Sequence, residues 1–385
     1  MLLNTILGGL ALLSLVLTLW QWYVARRFPL HRRVSGRSFA PGVTLLKPLK
    51  GCDSTSESCL RSWLTQDYAG PLQILFGVAS AEDPVCATVR GLLKEFPDAD
   101  AQLRVCGPLT GANLKVSKLA ELEPLAKHEV VVISDADVLV PPDLLTNVVA
   151  PLEAHETGLV NCFYRLANPT TPAMHCEAVA INADFWSQVL QSQSLKPLDF
   201  ALGAVMATRR KELAEIGGFA ALQDCLADDY QLGNRIARRG HRIALCPVVV
   251  ECWSGPMGWR DVWHHQLRWA RTIRVCQPLA YFFSILGNAT LWPVLWAALY
   301  PAGREITFAL CFCLTRMGTA LNLQQLLTGV PAPLTRAWLV PVKDLLQAVL
   351  WLMSFLGNRV EWRGEEMRIR RDGTLIRDDP RRLAG

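Results

Sequence analysis

The chain has 385 residues, 51% of them hydrophobic and only 19% charged, with a formal net charge of +5. A soluble domain of this size carries about a quarter charged residues, so the composition excludes an ordinary water-soluble protein. The modest positive charge, with no long Lys/Arg run and no aromatic-basic pattern, excludes nucleic acid as the partner.

Residues 2–24 contain no charge, enough for one helix to cross about 30 Å of hydrocarbon. No Lys or Arg precedes this run, while Arg26, Arg27, His31, Arg32, Arg33 and Arg37 follow it. A signal peptide has the opposite polarity, so residues 1–25 read as an uncleaved transmembrane anchor. The positive-inside rule then places residue 40 onward in the cytosol. Basic residues gather beside the apolar segments, where anionic lipid would meet them. The 12 cysteines are irregularly spaced and form no zinc-type CxxC pair. In a cytosolic domain they are expected as reduced, buried small hydrophobes.

From 40 to 275 short β-rich runs alternate with helical ones. "VTLLK" (43–47), "LQILFGVA" (72–79), "QLRVC" (102–106) and "VVVISD" (130–135) read as buried strands. "DPVCATVRGLLKEF" (83–96) and "PPDLLTNVVAPLEAH" (141–155) read as helices between them. Nearly continuous apolar strands in this rhythm predict an α/β, Rossmann-like, mostly parallel sheet covered on both faces. Such sheets bind ligands at the carboxyl ends of their strands.

The domain ends in "WHHQLRWART" (263–272). Arg260, His264, Arg268 and Arg271 recur at helical spacing and share a face. Trp259, Val262, Trp263, Leu267, Trp269, Ala270 and Ile273 cover much of the rest, which predicts an amphipathic interfacial helix. His264 and His265 are adjacent, hence about 100° apart on a helix, and no neighbouring Cys or acid completes a tetrahedral metal set.

Residues 276–357 form a carboxyl-terminal membrane region. The run 278–301 is uncharged, 306–330 carries only Arg316, and 338–357 contains the adjacent Lys343 and Asp344. Three full crossings would put the Arg-rich tail, 358–385, outside, against the positive-inside rule. One run must therefore fail to cross, and 278–301, interrupted by Gly287, Asn288 and Pro293, is the candidate hairpin.

Two acid pairs carry the chemistry. Asp135 and Asp137 lie at the mouth of a buried strand, where they need a cation or water. Mg²⁺ or Mn²⁺, which take a few carboxylate oxygens plus phosphate oxygens, suit them; a solvated loop leading into a helix cap fits as well. Asp228 and Asp229 open a predicted helix, where the dipole favours acids. One carboxylate beside another, partly buried, is also suited to act as a general base.

These features, in this order, resemble the membrane-bound glycosyltransferases of GT-A fold, most closely the ceramide glucosyltransferase family with its bacterial relatives in hopanoid lipid synthesis. The landmarks are "LLKPLKG" (45–51), "GANLKVSKL" (111–119), the D-x-D at 135–137, "ADDYQLGNRIARRG" (227–240), Arg268–Trp269 and "WRGEEMRIRRDGT" (362–374). The resemblance implies an inverting transfer of glucose or N-acetylglucosamine from a UDP-sugar to the hydroxyl of a membrane lipid, a hopanoid polyol or a ceramide-like lipid, at the cytosolic face of a bacterial inner membrane. It implies a divalent metal, Mg²⁺ or Mn²⁺, on Asp135 and Asp137. Asp229 would be the base, with Arg268, Trp269 and His265 of the R-W signature in catalysis. Lys47, Ser80, Asp83, Asn113, Lys115, Asp135 and Asp228 would contact the donor. Two positions depart from the pattern. Ser80 stands where the family has its uridine-contacting Asp, with Glu82 and Asp83 close by. His265 stands where the R-W signature begins with Gln or Arg. Rival readings are a polyprenyl-phosphate sugar transferase, a polysaccharide synthase, and a non-catalytic membrane scaffold.

Overall fold

The computed structural model describes residues 1–34, 38–362, 365–370 and 372–377. Arg37, the landmark residues Arg363, Gly364 and Arg371, and the end of the tail lie outside the described residues. Four strands form the first half of the main sheet: β1 (Val43–Pro48), β2 (Leu72–Val78), β3 (Asp100–Val105) and β4 (Val130–Ser134). They run in the order β3-β2-β1-β4 and are all parallel. Against the buried strand expected at 102–106, β3 has no buried position, because it lies at the sheet edge with a neighbour on one side only. β1 and β4 are buried at every position, as strands covered on both faces must be.

The second half is mixed. β5 (Val138–Leu139), β6 (Thr157–Leu166), β7 (Val205–Arg209) and β8 (Arg242–Cys252) extend the sheet as β4-β7-β6-β8-β5. β7 is antiparallel to both β4 and β6, β8 is parallel to β6, and β5 is antiparallel to β8. This half hides in the sequence because its strands carry buried polar groups that pair across the sheet. Asn161 Nδ2 donates to the Ala244 carbonyl and Thr208 Oγ1 to that of Gly158. Helices Ser56–Leu64, Val85–Glu95 and Leu144–Val149 pack one face. Leu114–Leu122 and Asp228–Arg238 pack the other.

Among the described residues three helices are long and apolar enough to cross a membrane: Leu2–Arg27, Gly303–Thr328 and Leu334–Phe355. The uncharged run after 278 is broken into Pro278–Gly287 and Leu291–Leu299, bent by 52°, as a broken span or a re-entrant loop would be. Leu12, Leu13 and Val16, Phe308, Leu310 and Leu314, and Val349 and Leu352 are exposed on these helices. Apolar surface of that extent marks a lipid-facing surface.

A helix running from 172 to 193 joins the two regions. Its middle, Ala180–Phe185, is wound as π-helix. The amino-terminal helix lies along its end, with Gln21 Nε2 donating to Ser187 Oγ at 2.6 Å and Gln191 Nε2 to the Leu17 carbonyl at 3.0 Å. Asp184, in the π-turn, meets the isolated charges of the carboxyl-terminal helices. Arg316 Nη2 lies 2.8 Å from Asp184 Oδ2 and 2.9 Å from Asp344 Oδ1. Lys343 pairs with Asp184 and, at 2.7 Å, with Asp344. From the break between the short helices, Thr290 Oγ1 donates to Asp344 Oδ2 at 2.6 Å and Asn288 Nδ2 to the Asp344 carbonyl at 2.7 Å. All four charged side chains are buried, and two acids offset two bases.

The described part of the tail differs from the polar extension expected. β9 (Arg359–Trp362), β10 (Glu365–Ile369) and β11 (Leu375–Arg377) form an antiparallel sheet. Val360, Met367, Ile369 and Leu375 bury against Ala112, Leu226 and Val275, so scattered apolar residues suffice to dock an Arg-rich segment.

Removing one member of the buried cluster leaves its partners charged without compensation, which costs about 3–5 kcal/mol. Arg316→Met is therefore expected to lower the thermal unfolding midpoint of the detergent-solubilised protein sharply. An unchanged midpoint would show that the cluster does not hold the fold.

Candidate active site

The site forms where two loops are tied together. Ala112 N donates to Asp224 Oδ1 at 2.8 Å, Asn113 N to the Gln223 carbonyl at 2.7 Å, and Asn113 Nδ2 to the Cys225 carbonyl at 2.8 Å. Gly111 makes the turn possible with φ +88°, a region costly for other residues. Asn113 also caps Leu114–Leu122, accepting from Lys115 N and Val116 N. These ties bring the first turn of that helix against the first turn of Asp228–Arg238.

Lys115 then reaches two acids from different parts of the chain. Its Nζ lies 2.8 Å from Asp135 Oδ1, just past β4, and 2.9 Å from Asp228 Oδ2. Burial disfavours the ammonium, but Asp135 and Asp228, with Asp229 beyond them, outweigh it and raise the Lys115 pKa. Asp229 experiences the opposite balance. Burial and the neighbouring Asp228 charge push its pKa up to about 6, although Lys115 and a hydrogen bond from Tyr230 N (2.8 Å) oppose the shift. A Cβ at Gly203 would stand 2.8 Å from Asp229 Oδ2, so this carboxylate needs a glycine opposite. Asp137 is exposed, and its carbonyl accepts from Trp253 N at 2.9 Å.

Lys47 supports Asp135 from behind. Its fully buried Nζ donates to the Asp135 carbonyl at 2.6 Å and to Ser134 Oγ at 3.3 Å, and it lies 5.3 Å from the centre of the Trp63 ring. Burial brings its pKa down to about 8 against the pull of Cys59, Asp137 and Asp135. Ser80 and Asp83 do different work. Ser80 Oγ accepts from Glu82 N at 3.1 Å. Asp83 accepts from Gly51 N at 3.0 Å and from Val85 N at 3.1 Å, fixing the loop after β1 to the start of Val85–Glu95. Lys47, Lys115, Asp135, Asp228 and Asp229 thus converge. In the hydrogen bonds they make, Asn113, Ser80 and Asp83 shape the loops around them.

The helix Trp259–Cys276 forms the adjoining wall. Two of the basic residues on its charged face are engaged by the tail: His264 Nδ1 lies 2.7 Å from Glu361 Oε2, and Arg271 donates to the Arg359 carbonyl. On the other side, Trp269 packs 5.5 Å from Phe185 and 6.4 Å from Tyr164, ring centre to ring centre, with Arg268 beside it in sequence. Tyr164 joins this wall to the acids. It is half-buried, and burial of its phenol, with Cys252, Asp229, Asp135 and Asp137 contributing, raises its pKa. His265 Nδ1 is 2.6 Å from Glu177 Oε1. Tyr164, Glu177 and Gly203 carry no sequence signal of their own. Tyr164 sits in an apolar strand, Glu177 is one polar residue in an apolar helix, and the role of Gly203 depends on a contact formed only in the fold.

The sequence matches the family described as Glycosyl transferase family 21 over residues 6–375. Among curated proteins it is similar to ceramide glucosyltransferase 3 of Caenorhabditis elegans, 25% identical over 227 residues, covering 57% of this chain and 48% of the relative. It is 32% identical over 148 residues to the ceramide glucosyltransferase of Komagataella phaffii, covering 34% and 29%. It is 25% identical over 246 residues to the beta-monoglucosyldiacylglycerol synthase of Trichormus variabilis, covering 63% and 51%. The matched regions span about half the length of these relatives or less. Among solved structures the fold resembles the mannosyltransferase PcManGT of Pyrobaculum calidifontis in complex with GDP-Man and Mn²⁺, with a TM-score of 0.52, 20% identity, and coverage of 91% of this chain and 99% of that one.

The raised Asp229 pKa has a consequence for stability. A carboxyl that binds its proton more tightly folded than unfolded favours folding below the ordinary aspartate value near 4. That contribution is lost as pH rises to about 6. Above that pH the ionised group costs stability, and a neutral amide does not. Asp229→Asn is expected to raise the unfolding midpoint relative to the parent more at pH 8 than at pH 4. An equal shift at both pH values would refute the raised pKa.

Proposed function

We propose, from the premise that this chain belongs to glycosyl transferase family 21, that it transfers a hexose from a UDP-sugar to the hydroxyl of a membrane lipid, with inversion at the anomeric carbon. The observation that carries this reading is Asp229. It is a partly buried carboxylate with a pKa raised to about 6, set among Asp228 and Asp135 past the carboxyl end of β4. A general base works best when its pKa lies near the working pH. The relatives support a lipid acceptor, since their names describe ceramide and diacylglycerol glycolipid enzymes. They favour glucose as the hexose and a ceramide-like or glycerolipid acceptor; a hopanoid polyol with N-acetylglucosamine is the alternative from the sequence. The site would lie at the cytosolic face of a bacterial inner membrane.

In this reading Asp229 accepts the proton of the lipid hydroxyl as its oxygen bonds to the anomeric carbon. The bond from that carbon to the diphosphate breaks, and the diphosphate leaves with the electron pair. Lys115 holds Asp135 and Asp228 in place through its ion pairs, and Lys47 holds the strand end that carries Asp135. Arg268 would meet negative charge developing on the leaving group. Trp269, seated on Phe185 and Tyr164, fixes the turn of helix that carries it.

Asp135 and Asp137 fit a divalent cation. They offer oxygen donors only, at a strand end, and Mg²⁺ and Mn²⁺ take few carboxylates and keep places for phosphate oxygens and water. Among the described residues no group of three or more His, Cys, Asp or Glu is placed to hold a metal by itself. When bound, such an ion would offset charge on the diphosphate. PcManGT, with 20% identity, is described in complex with Mn²⁺.

The test is UDP release by the purified full chain with UDP-glucose or UDP-N-acetylglucosamine and a lipid extract. Turnover is expected to need Mg²⁺ or Mn²⁺ and to fall by roughly 10²–10⁴-fold in Asp229→Asn. It should decline as pH falls through about 6, where the base takes up its proton. Lys115→Met removes a charge that holds the Asp229 pKa down, so any residual activity should decline from a higher pH. Full turnover in Asp229→Asn would sink the base assignment, and full turnover in Asp137→Ala the metal assignment.

A further inference from the structure

His265 stands at the first position of the R-W signature, and its partner is a residue with no other evident task. Glu177 lies on Pro172–Val179 and is 2% exposed. Its Oε1 is 2.6 Å from His265 Nδ1 and accepts from Gln266 Nε2 at 2.8 Å. Its Oε2 is buried with no hydrogen-bond partner among the described residues. A carboxylate placed this way is costly unless something compensates it. With Glu177 ionised, Nδ1 of His265 must carry the proton, because the carboxylate can only accept. Among the described residues no protein group bonds Nε2. The ring is further held by Trp269, edge-on at 4.9 Å. A carboxylate on one imidazole nitrogen fixes the tautomer and orientation of the ring and increases the basicity of the other nitrogen.

We propose that Glu177 is a positioning residue that makes His265 a cationic hydrogen-bond donor, through Nε2, to the diphosphate of the sugar donor. The proposal rests on the glycosyltransfer reading above. It accounts for the departure at this position: a neutral imidazole is a poorer donor to phosphate than Arg, and a buried carboxylate supplies the missing charge preference. Gln266, bonded to the same oxygen, keeps the carboxylate from turning away. The effect should be larger on the departing diphosphate than on the bound donor, because the diphosphate gains charge as it leaves.

The experiment is a double-mutant cycle on the full chain, with kcat, donor KM and the affinity for UDP by calorimetry as readouts. Glu177→Gln is expected to lower kcat by roughly 10–100-fold, as loss of an orienting partner does. UDP affinity should weaken several-fold while donor KM moves less. His265→Gln, which removes the imidazole that Glu177 orients, should itself lower kcat and UDP affinity. On that background Glu177→Gln should have almost no further effect on kcat or UDP affinity. A full effect of Glu177→Gln on the His265→Gln background would overturn the proposal, because Glu177 would then act through packing. Unchanged kcat and UDP affinity in Glu177→Gln alone, or in His265→Gln alone, would overturn it as well. If the parent binds UDP but transfers no sugar to any lipid, the transfer reading fails, and the UDP cycle still decides the role of Glu177. A parent that does not bind UDP overturns both.

Discussion

An arginine in a membrane-span helix has to be neutralised, and Arg316 finds its counter-charges in Asp184 and Asp344. The acid that matters most is Asp184, because it does not come from the membrane region. It is supplied by the helix of residues 172–193, between β6 and β7 of the α/β domain. The cost of burying either charge alone is several kcal/mol, so domain and span helices are held in one relative position. The same helix carries Glu177 and Phe185, which grip His265 and Trp269 of the helix that walls the site. A π-turn widens a helix by one residue per turn. Here it falls where Asp184 reaches the span helices and Phe185 reaches the site wall.

The site itself depends on incomplete compensation. Lys115 pairs with Asp135 and Asp228, leaving Asp229 to bear burial and a neighbouring negative charge. A second lysine at the cluster would make Asp229 an ordinary carboxylate, and removing Lys115 would leave three acids in mutual repulsion. The intermediate state yields a carboxyl that changes charge near neutral pH. Lys47 shows the contrasting use of a buried lysine. It spends its hydrogen bonds on the Asp135 carbonyl and Ser134, holding backbone while contributing little direct neutralisation.

Most of the parallel half of the sheet was legible because β1, β2 and β4 are apolar runs with a single possible environment, whereas β3, an edge strand carrying Asp100, Gln102 and Arg104, is partly exposed where a buried strand was expected. β6, β7 and β8 were less legible, since Asn161, Thr208 and their partners put polar groups where a core strand is expected to be apolar. Asp135, Asp228 and Asp229 could be read from pairing and position, and Lys115 through a resemblance. Their meeting could not, because it depends on the backbone ties between 112–113 and 223–225. Asn113, Ser80 and Asp83 were marked for the substrate, and the hydrogen bonds they make shape backbone. Caps and turns use the same short polar side chains as binding sites, and sequence cannot separate the two. Arg316, Lys343 and Asp344 were visible as anomalies in apolar runs, but Asp184, the second acid that Arg316 and Lys343 share, lies more than a hundred residues earlier.

On the glycosyltransfer reading, that separation bears on how a lipid acceptor would reach the acids. The helix Trp259–Cys276 is fixed from both sides, by Glu177 and Phe185 on one and by the tail strands through His264 and Arg271 on the other. It therefore has little freedom to rotate, and Arg268 and Trp269 keep one bearing relative to Asp229. A soluble acceptor can reorient in the site. A lipid hydroxyl arrives at a height set by the membrane, and a rigid link between span helices and site lets one height serve every turnover. Orientation of this kind reduces the entropy lost on reaching the transition state, and on this reading it would be built from the side chains that hold the wall helix.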